Sequence, residues 1–238
     1  MSLITPALPP AILRAFNMGL GDFVSPKDPL WAVMLKKFIA LEVYSLNLDH
    51  FIARVPAGAI PPSSLEGLID SAGWHFLASD GHVYGACHVG SFDPSLPPKL
   101  TGFSREAEVL TSIESFDDLN TMDQLRNCIF EPRVLRLPWA RFEAFWLHLP
   151  DQMAQPAGCN DWIVPYTGFV ETPPKYLDDD HTSMLQLGRP FGIAAFLGAL
   201  RRYIGDHSGR VGNRRSHGRT AGPPPPRPGH FFPRVKRP

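Results

Sequence analysis

The sequence predicts an α+β fold: an antiparallel sheet of four to five strands packed by an N-terminal and a C-terminal helix. Three observations predict it. Residues 74–89 alternate in polarity about an Asp80-Gly81 dipeptide, as a β-hairpin does. Two more strand-like runs, Cys128–Leu137 and Ala140–Leu149, follow in close succession. Helical periodicity over 28–52 and 190–204 brackets these strands.

Residues 1–26 are punctuated by Pro and Gly and read as an irregular segment, with at most a short helix around Ala11–Met18. From Asp28 to Ile52, apolar residues recur at Trp31, Met34, Leu35, Phe38, Leu41, Leu48 and Ile52, close to a 3.6-residue period. A helix this apolar must lie on a sheet. Val55–Ser64 carries three prolines and reads as a loop. With Asp80-Gly81 as a two-residue turn, Ser79 pairs with His82, Leu77 with Tyr84 and His75 with Ala86. One hairpin face then holds Trp74, Phe76, Ala78, Val83, Gly85, Cys87 and Val89. The other holds His75, Leu77, Ser79, His82, Tyr84, Ala86 and His88.

Ser91–Gly102 is a second proline loop. Ser104 suits the cap of a short helix to about Phe116, with Glu106 and Glu108 in its first turn, where the helix dipole favours acids. In 140–149, Phe142, Ala144 and Trp146 share one face, and Phe145 and Leu147 the other. Apolar residues on both faces imply a central strand. Asp161–Val170 reads as one further strand, which Pro165 assigns to an edge. Pro190 opens the last helix and Gly205 marks its stop, so a single domain over 27–206 is expected to end there.

Composition bounds the function classes. Prolines number 26 in 238 residues, about twice the usual share, which predicts many loops and short elements. The formal charge is zero, but eight basic residues and no acid fall in 207–238; removing them from 23 leaves 15 basic against 23 acidic residues in 1–206. An acidic body argues against nucleic-acid binding by the folded part. The tail, rich in Arg, Pro and Gly and poor in aliphatics, is expected to be disordered. Its vocabulary is also what GC-rich DNA encodes out of frame, so a frameshifted end is one reading of it. Pro223–Pro226 before Arg227 is another, as a polyproline ligand, though the spacing does not complete the motif. Three cysteines, Cys87, Cys128 and Cys159, lie 41 and 31 residues apart with no CxxC, which suits reduced thiols in a cytoplasmic protein. No apolar run reaches the ~20 residues of a membrane helix, and 1–10 lacks the basic flank of a secretory signal.

Motifs for nucleotide, zinc-protease, hydrolase and calcium chemistry are absent. The remaining candidates are weaker. His75, His82 and His88 share a hairpin face, but the turn puts His82 about 13 Å from His75, and the diagonal pair His75–His88 is about 7 Å apart. Two ligands at best converge, so no metal and no cofactor is expected. Cys87 as a nucleophile could not use His88, which points to the opposite face, and would need His148 or His181 as base with Asp161 as orienter. Asp178–Asp180 lacks the glycine of a cation-binding turn and reads as a solvated lead into the last helix. The catalytic candidates are therefore His88, His148 and Cys87. Trp146, Phe142 and Tyr84 are the candidates for lining a ligand pocket. The expected function is a non-catalytic binding or interaction domain for a protein or a small apolar ligand. The alternatives are a hydrolase or metal-dependent enzyme using the hairpin His and Cys residues, and nucleic-acid association through the tail.

Overall fold

The computed structural model describes residues 2–56, 58–91, 95–151, 153–167 and 187–215, the last ten of these in backbone only. In chain order the elements are β1 (Ser2–Leu3), α1 (Pro10–Phe23), α2 (Pro29–Lys36), β2 (Phe38–Leu46), α3 (Leu48–Arg54), β3 (Ile69–Ser79), β4 (Tyr84–Gly90) and β5 (Lys99–Ser104). There follow α4 (Ala107–Asp118), β6 (Ile129–Leu137), β7 (Phe142–His148), β8 (Trp162–Thr167), β9 (Phe191–Gly192) and α5 (Ile193–Arg215), with short 3-10 turns at 119–121, 123–125 and 138–140. The chain divides into two units, 1–201 and 202–238. The sheet belongs to the first, and the second includes the C-terminal part of α5.

The expected small antiparallel sheet is corrected, among the described residues, to a mixed sheet of nine strands in the order β5-β4-β3-β2-β6-β7-β8-β9, with β1 beside β6. Both pairings that make it mixed involve β6, which runs parallel to β1 and to β2. Four strands were not expected, β1, β2, β5 and β9, and the longest of them, β2, comes from 28–52. Asp28 caps α2 by accepting from the Leu30 amide, and that helix stops at Lys36. The run from Phe38 to Leu46 then extends as β2, with Leu41 and Val43 on one face and Phe38 and Ala40 on the other. Apolar residues on both faces mark it as central. Asn47 restarts the helical geometry by accepting from the amides of Asp49 and His50.

Segment 1–26 contains β1 and the 14-residue α1, whose buried Phe16 stacks on Phe76 with centroids 4.3 Å apart. Burying a ring of that size contributes roughly 1.5–3 kcal/mol. The hairpin register is also corrected. Asp80 accepts from the amides of His82 and Val83, so the loop spans 80–83 and Ser79 pairs with Tyr84, Leu77 with Ala86 and His75 with His88. The shift is two residues, so each side chain keeps its expected face. His75 and His88 become direct partners instead of diagonal ones.

Two prolines sit where a missing amide is tolerated. Pro132 of β6 lies between the stretch paired with β1 and the stretch paired with β2. Pro165 of β8 lies at a bulge, beyond the end of the two-residue β9. The last helix begins at Ile193 and runs past Gly205 to Arg215; one glycine costs only about 1 kcal/mol in a helix and does not by itself stop it. Among the described residues no helix is long and apolar enough to cross a membrane.

Helices α1 and α2 cover one face of the sheet at β3–β5, over a core of Leu20, Leu30, Met34, Trp74, Phe76 and Val89. Helix α4 covers the opposite face, over Leu41, Val43, Leu77, Val134, Phe145 and Tyr166. That second face holds the polar residues described next.

Candidate functional site

Strand alternation places His75, His88, Arg136 and Glu143 on the α4 face, among residues that are otherwise apolar. Buried charges need partners, and Arg136 and Glu143 form an ion pair. Arg136 Nε lies 2.6 Å from Glu143 Oε1, and its Nη2 reaches across β2 to donate to His75 Nδ1 at 3.1 Å. Glu143 Oε2 accepts from the Tyr166 hydroxyl at 2.9 Å. A guanidinium can only donate, so His75 carries its proton on Nε2 and is neutral. Burial, then Arg136, then His88 push its pKa well below 6.5. His88 falls to about 4, through burial and then Arg136, while the nearby Ala72 carbonyl pulls the other way. His88 Nδ1 shares a 2.9 Å hydrogen bond with Thr101 Oγ1, and its Nε2 is buried without a well-aligned partner among the described residues. Tyr166 is pushed well above 10 by burial and by the Glu143 carboxylate.

Two adjoining cavities open along this network and share the side chains of Glu108, Arg136 and Glu143. The inner one, about 250 Å³, is bounded by His75, His88, Gly102, Val109 and Ser112. The outer one, about 490 Å³, is bounded by Pro138, Arg141, Phe142 and Thr167. Gly102 faces His88 across the β4–β5 pair, and a Cβ built on it would meet nothing within 4 Å. The contrast is with Gly73 (φ +115°), where a Cβ would collide with the Val89 carbonyl. Gly73 is required by its backbone; Gly102 is required by nothing packed against it.

On the other face, Asp161 accepts three hydrogen bonds: from Trp146 Nε1 at 2.8 Å, from His148 Nδ1 at 3.0 Å and from the Leu149 amide at 2.8 Å. Burial alone would raise the Asp161 carboxyl, but these bonds outweigh it and hold the group below its ordinary 3.8. With Nδ1–H given to the carboxylate, the His148 ring is oriented on a side chain 18% exposed. Arg133, bonded to Glu131, lies over the rings of Trp146 and Tyr44 at 4.8 and 5.2 Å.

The structure thus brings His148 and Asp161 together and leaves Cys87 apart from both. Cys87 is buried on the α1–α2 face, and burial pushes its thiol up to about 12. Its strand is four places from that of His148, about 19 Å at the usual strand spacing. Trp146 is 5% exposed, and Phe142 is buried against Phe196 of α5 while bordering the outer cavity. Tyr84 packs at the edge of the core under α4. No group of three or more His, Cys, Asp or Glu side chains suited to a metal occurs among the described residues. His181, Asp178–Asp180 and the Arg/Pro-rich stretch beyond 215 lie outside the described residues.

Reduced cysteines were expected throughout; instead Cys128 and Cys159 form a disulfide. β6 and β8 both run antiparallel to β7, so they start at the same end of the sheet, and the two cysteines just before those starts sit 5.9 Å apart at Cα. The sequence gap carried no hint of that. Arg136, Glu143, Tyr166, Arg141 and Gly102 were also missed. The available signal was charge in strands that otherwise read as central, since Arg136 and Glu143 fall in apolar runs where an unpaired charge would not be tolerated.

The chain matches no family model, no curated protein and no solved structure.

Proposed function

We propose that this protein is a non-catalytic binding domain whose ligand is a small polar molecule held in the cleft between α4 and the sheet. The observation that carries this reading is Gly102. A glycine inside a strand weakens it, and one with open space before it often marks the close approach of a ligand. The walls fit the role: an apolar floor of Ala86 and Val109 with a few fixed polar groups, His75, Arg136 and Glu143, already oriented by one another. The apolar ligand first considered, seated on Trp146, has less support because that ring is already covered by Arg133 and Tyr44.

The test is thermal unfolding of the full chain against panels of amino acids, hydroxy acids, sugars and nucleosides, for the wild type and for Gly102→Leu. A Cβ at position 102 meets nothing within 4 Å, and a cooperative melt of the unliganded variant checks that it folds. A ligand at 100 times its Kd stabilises by about 2.7 kcal/mol. The expected result is a class that raises the melting temperature of the wild type and not of the variant. No shift with any class, or equal shifts in both proteins, overturns the reading.

One observation favours a second, hydrolytic reading: the carboxylate-oriented, partly exposed His148, which is how a general base is held. Loss of a hydrolytic activity in His148→Ala and its retention in Cys87→Ala would favour it. As to compartment, the disulfide removes one support for the cytoplasm. Such bonds persist in oxidising surroundings, which fit this chain better.

A further inference from the structure

We infer that the ligand of the cleft is a small zwitterion, whose two opposite charges are read by Arg141 and Glu108 at the outer cavity. The inference rests on the cleft being a binding site and adds the class of molecule it takes. Four charged side chains border the outer cavity: Arg136, Arg141, Glu108 and Glu143. Arg136 and Glu143 neutralise each other at 2.6 Å, and Glu143 also accepts from Tyr166. Two charges are left, one of each sign. Among the described residues neither the Arg141 guanidinium nor the Glu108 carboxylate has a salt bridge or a side-chain hydrogen bond, and both side chains are exposed. A ligand of single charge can pair with only one of these two groups. A molecule carrying an ammonium and a carboxylate meets both.

The backbone at Arg141 supports the assignment. It sits in the left-handed region (φ 50°, ψ 42°) at the end of the 138–140 turn, a conformation that glycine or asparagine adopts with less strain. The turn alone would be served by glycine. An arginine there supplies a cation at the cavity mouth, which the turn does not need. Arg136, bonded to His75, borders both cavities. Both cavities carry Glu108, Arg136 and Glu143; Arg141 distinguishes the outer one, and neutral His75 with Ser112 the inner.

Calorimetry and thermal shift on the full chain with leucine, γ-aminobutyrate, N-acetylleucine and leucinamide separate the outcomes. Binding by one or both zwitterions, with at least tenfold weaker binding of the acetylated anion and of the amide cation, is the expected result. Arg141→Gly and Glu108→Gln should each weaken the zwitterion about tenfold, or 1.4 kcal/mol. Arg141→Gly should at the same time leave the unliganded protein as stable as the wild type or more so, because the strain is relieved, so a loss of binding cannot be a loss of fold. Equal binding of N-acetylleucine or leucinamide overturns the zwitterion and leaves the cleft reading in place. So does retained affinity in both variants. Silence from all four probes and from the amino-acid panel, where hydroxy acids, sugars or nucleosides do give a shift that Gly102→Leu abolishes, overturns the inference alone. Silence from every panel overturns the cleft reading with it.

Discussion

Replacing Asp161 by alanine tests whether one carboxylate organises the far end of the sheet. The side chain accepts from Trp146 Nε1, His148 Nδ1 and the Leu149 amide, and no other acceptor for these donors is present among the described residues. Trp146 is 5% exposed, so its N–H cannot turn to water, and the Leu149 amide is only partly accessible. His148 reaches solvent and recovers most of its loss. Two stranded donors at about 1–2 kcal/mol each give a destabilisation of about 2–4 kcal/mol. For a chain of this size that is a fall in melting temperature of about 5–15 °C. His148→Ala, which removes one exposed donor and leaves the other two bonds intact, should cost clearly less. The pH dependence has a definite sign. Asp161 has a folded pKa below its ordinary 3.8, so its contribution is fully present above that value and is lost as pH falls through the folded one. Urea unfolding at several pH values should therefore show a gap between wild type and Asp161→Ala that is constant from pH 7 to about 5 and narrows below 4. A gap under about 0.5 kcal/mol, or one that widens toward acid, refutes the argument.

The disulfide and the histidines each yield a further expectation. Cys128 and Cys159 close a loop of 31 residues, for which chain entropy gives about 3–4 kcal/mol. The Cys128→Ser/Cys159→Ser double variant should melt lower than the wild type by that amount, and dithiothreitol should lower the wild type equally and the variant not at all. An unaltered melt in reductant counts against the bond's contribution. His88 has a folded pKa of about 4 against an ordinary 6.5, so its share of stability is complete above 6.5 and drains away as pH falls toward 4. Each such proton adds about 1.4 kcal/mol per pH unit to the slope within that window. Equilibrium unfolding between pH 7 and 4 should show a shallower slope in His88→Gln, which keeps a partner for Thr101; an unchanged slope contradicts the assignment.

Local alternation was legible where parity alone mattered. The two-residue slip of the hairpin left Phe76 and Cys87 on one face and His75 and His88 on the other, because a shift by an even number preserves faces. In 142–148 the assignment of Phe145 and Leu147 to one core and Trp146 to the opposite face held for the same reason. The failures were non-local. A nine-residue strand between two short helices mimics a helical period when apolar residues occupy both its faces, and only pairing with β3 and β6 distinguishes the two. Parallel pairing of β2 with β6 joins segments some 90 residues apart in the chain, and no local signal specifies it. The disulfide follows from the same unseen sheet order. The pairing of His148 with Asp161 was within reach, as an orienting group that a catalytic histidine would need; the cleft network was not, because its four members come from β3, β6, β7 and β8.

The Arg136–Glu143 pair also bears on why the cleft exists. A partly buried ion pair is rarely the most stable occupant of its site, since a well-packed apolar pair of similar volume is often as good or better by 1–4 kcal/mol. Neighbouring positions on the same face are Val134 and Phe145, which pair directly across β6 and β7, so the sheet accepts apolar partners here without difficulty. Tyr166 is then committed to Glu143, and His75 to Arg136, and not to closing the core. Stability alone would have filled this space. A network that instead keeps its polar groups fixed and the space beside Gly102 open has the properties of a site, where preorganised groups reduce the entropy lost when a ligand is held.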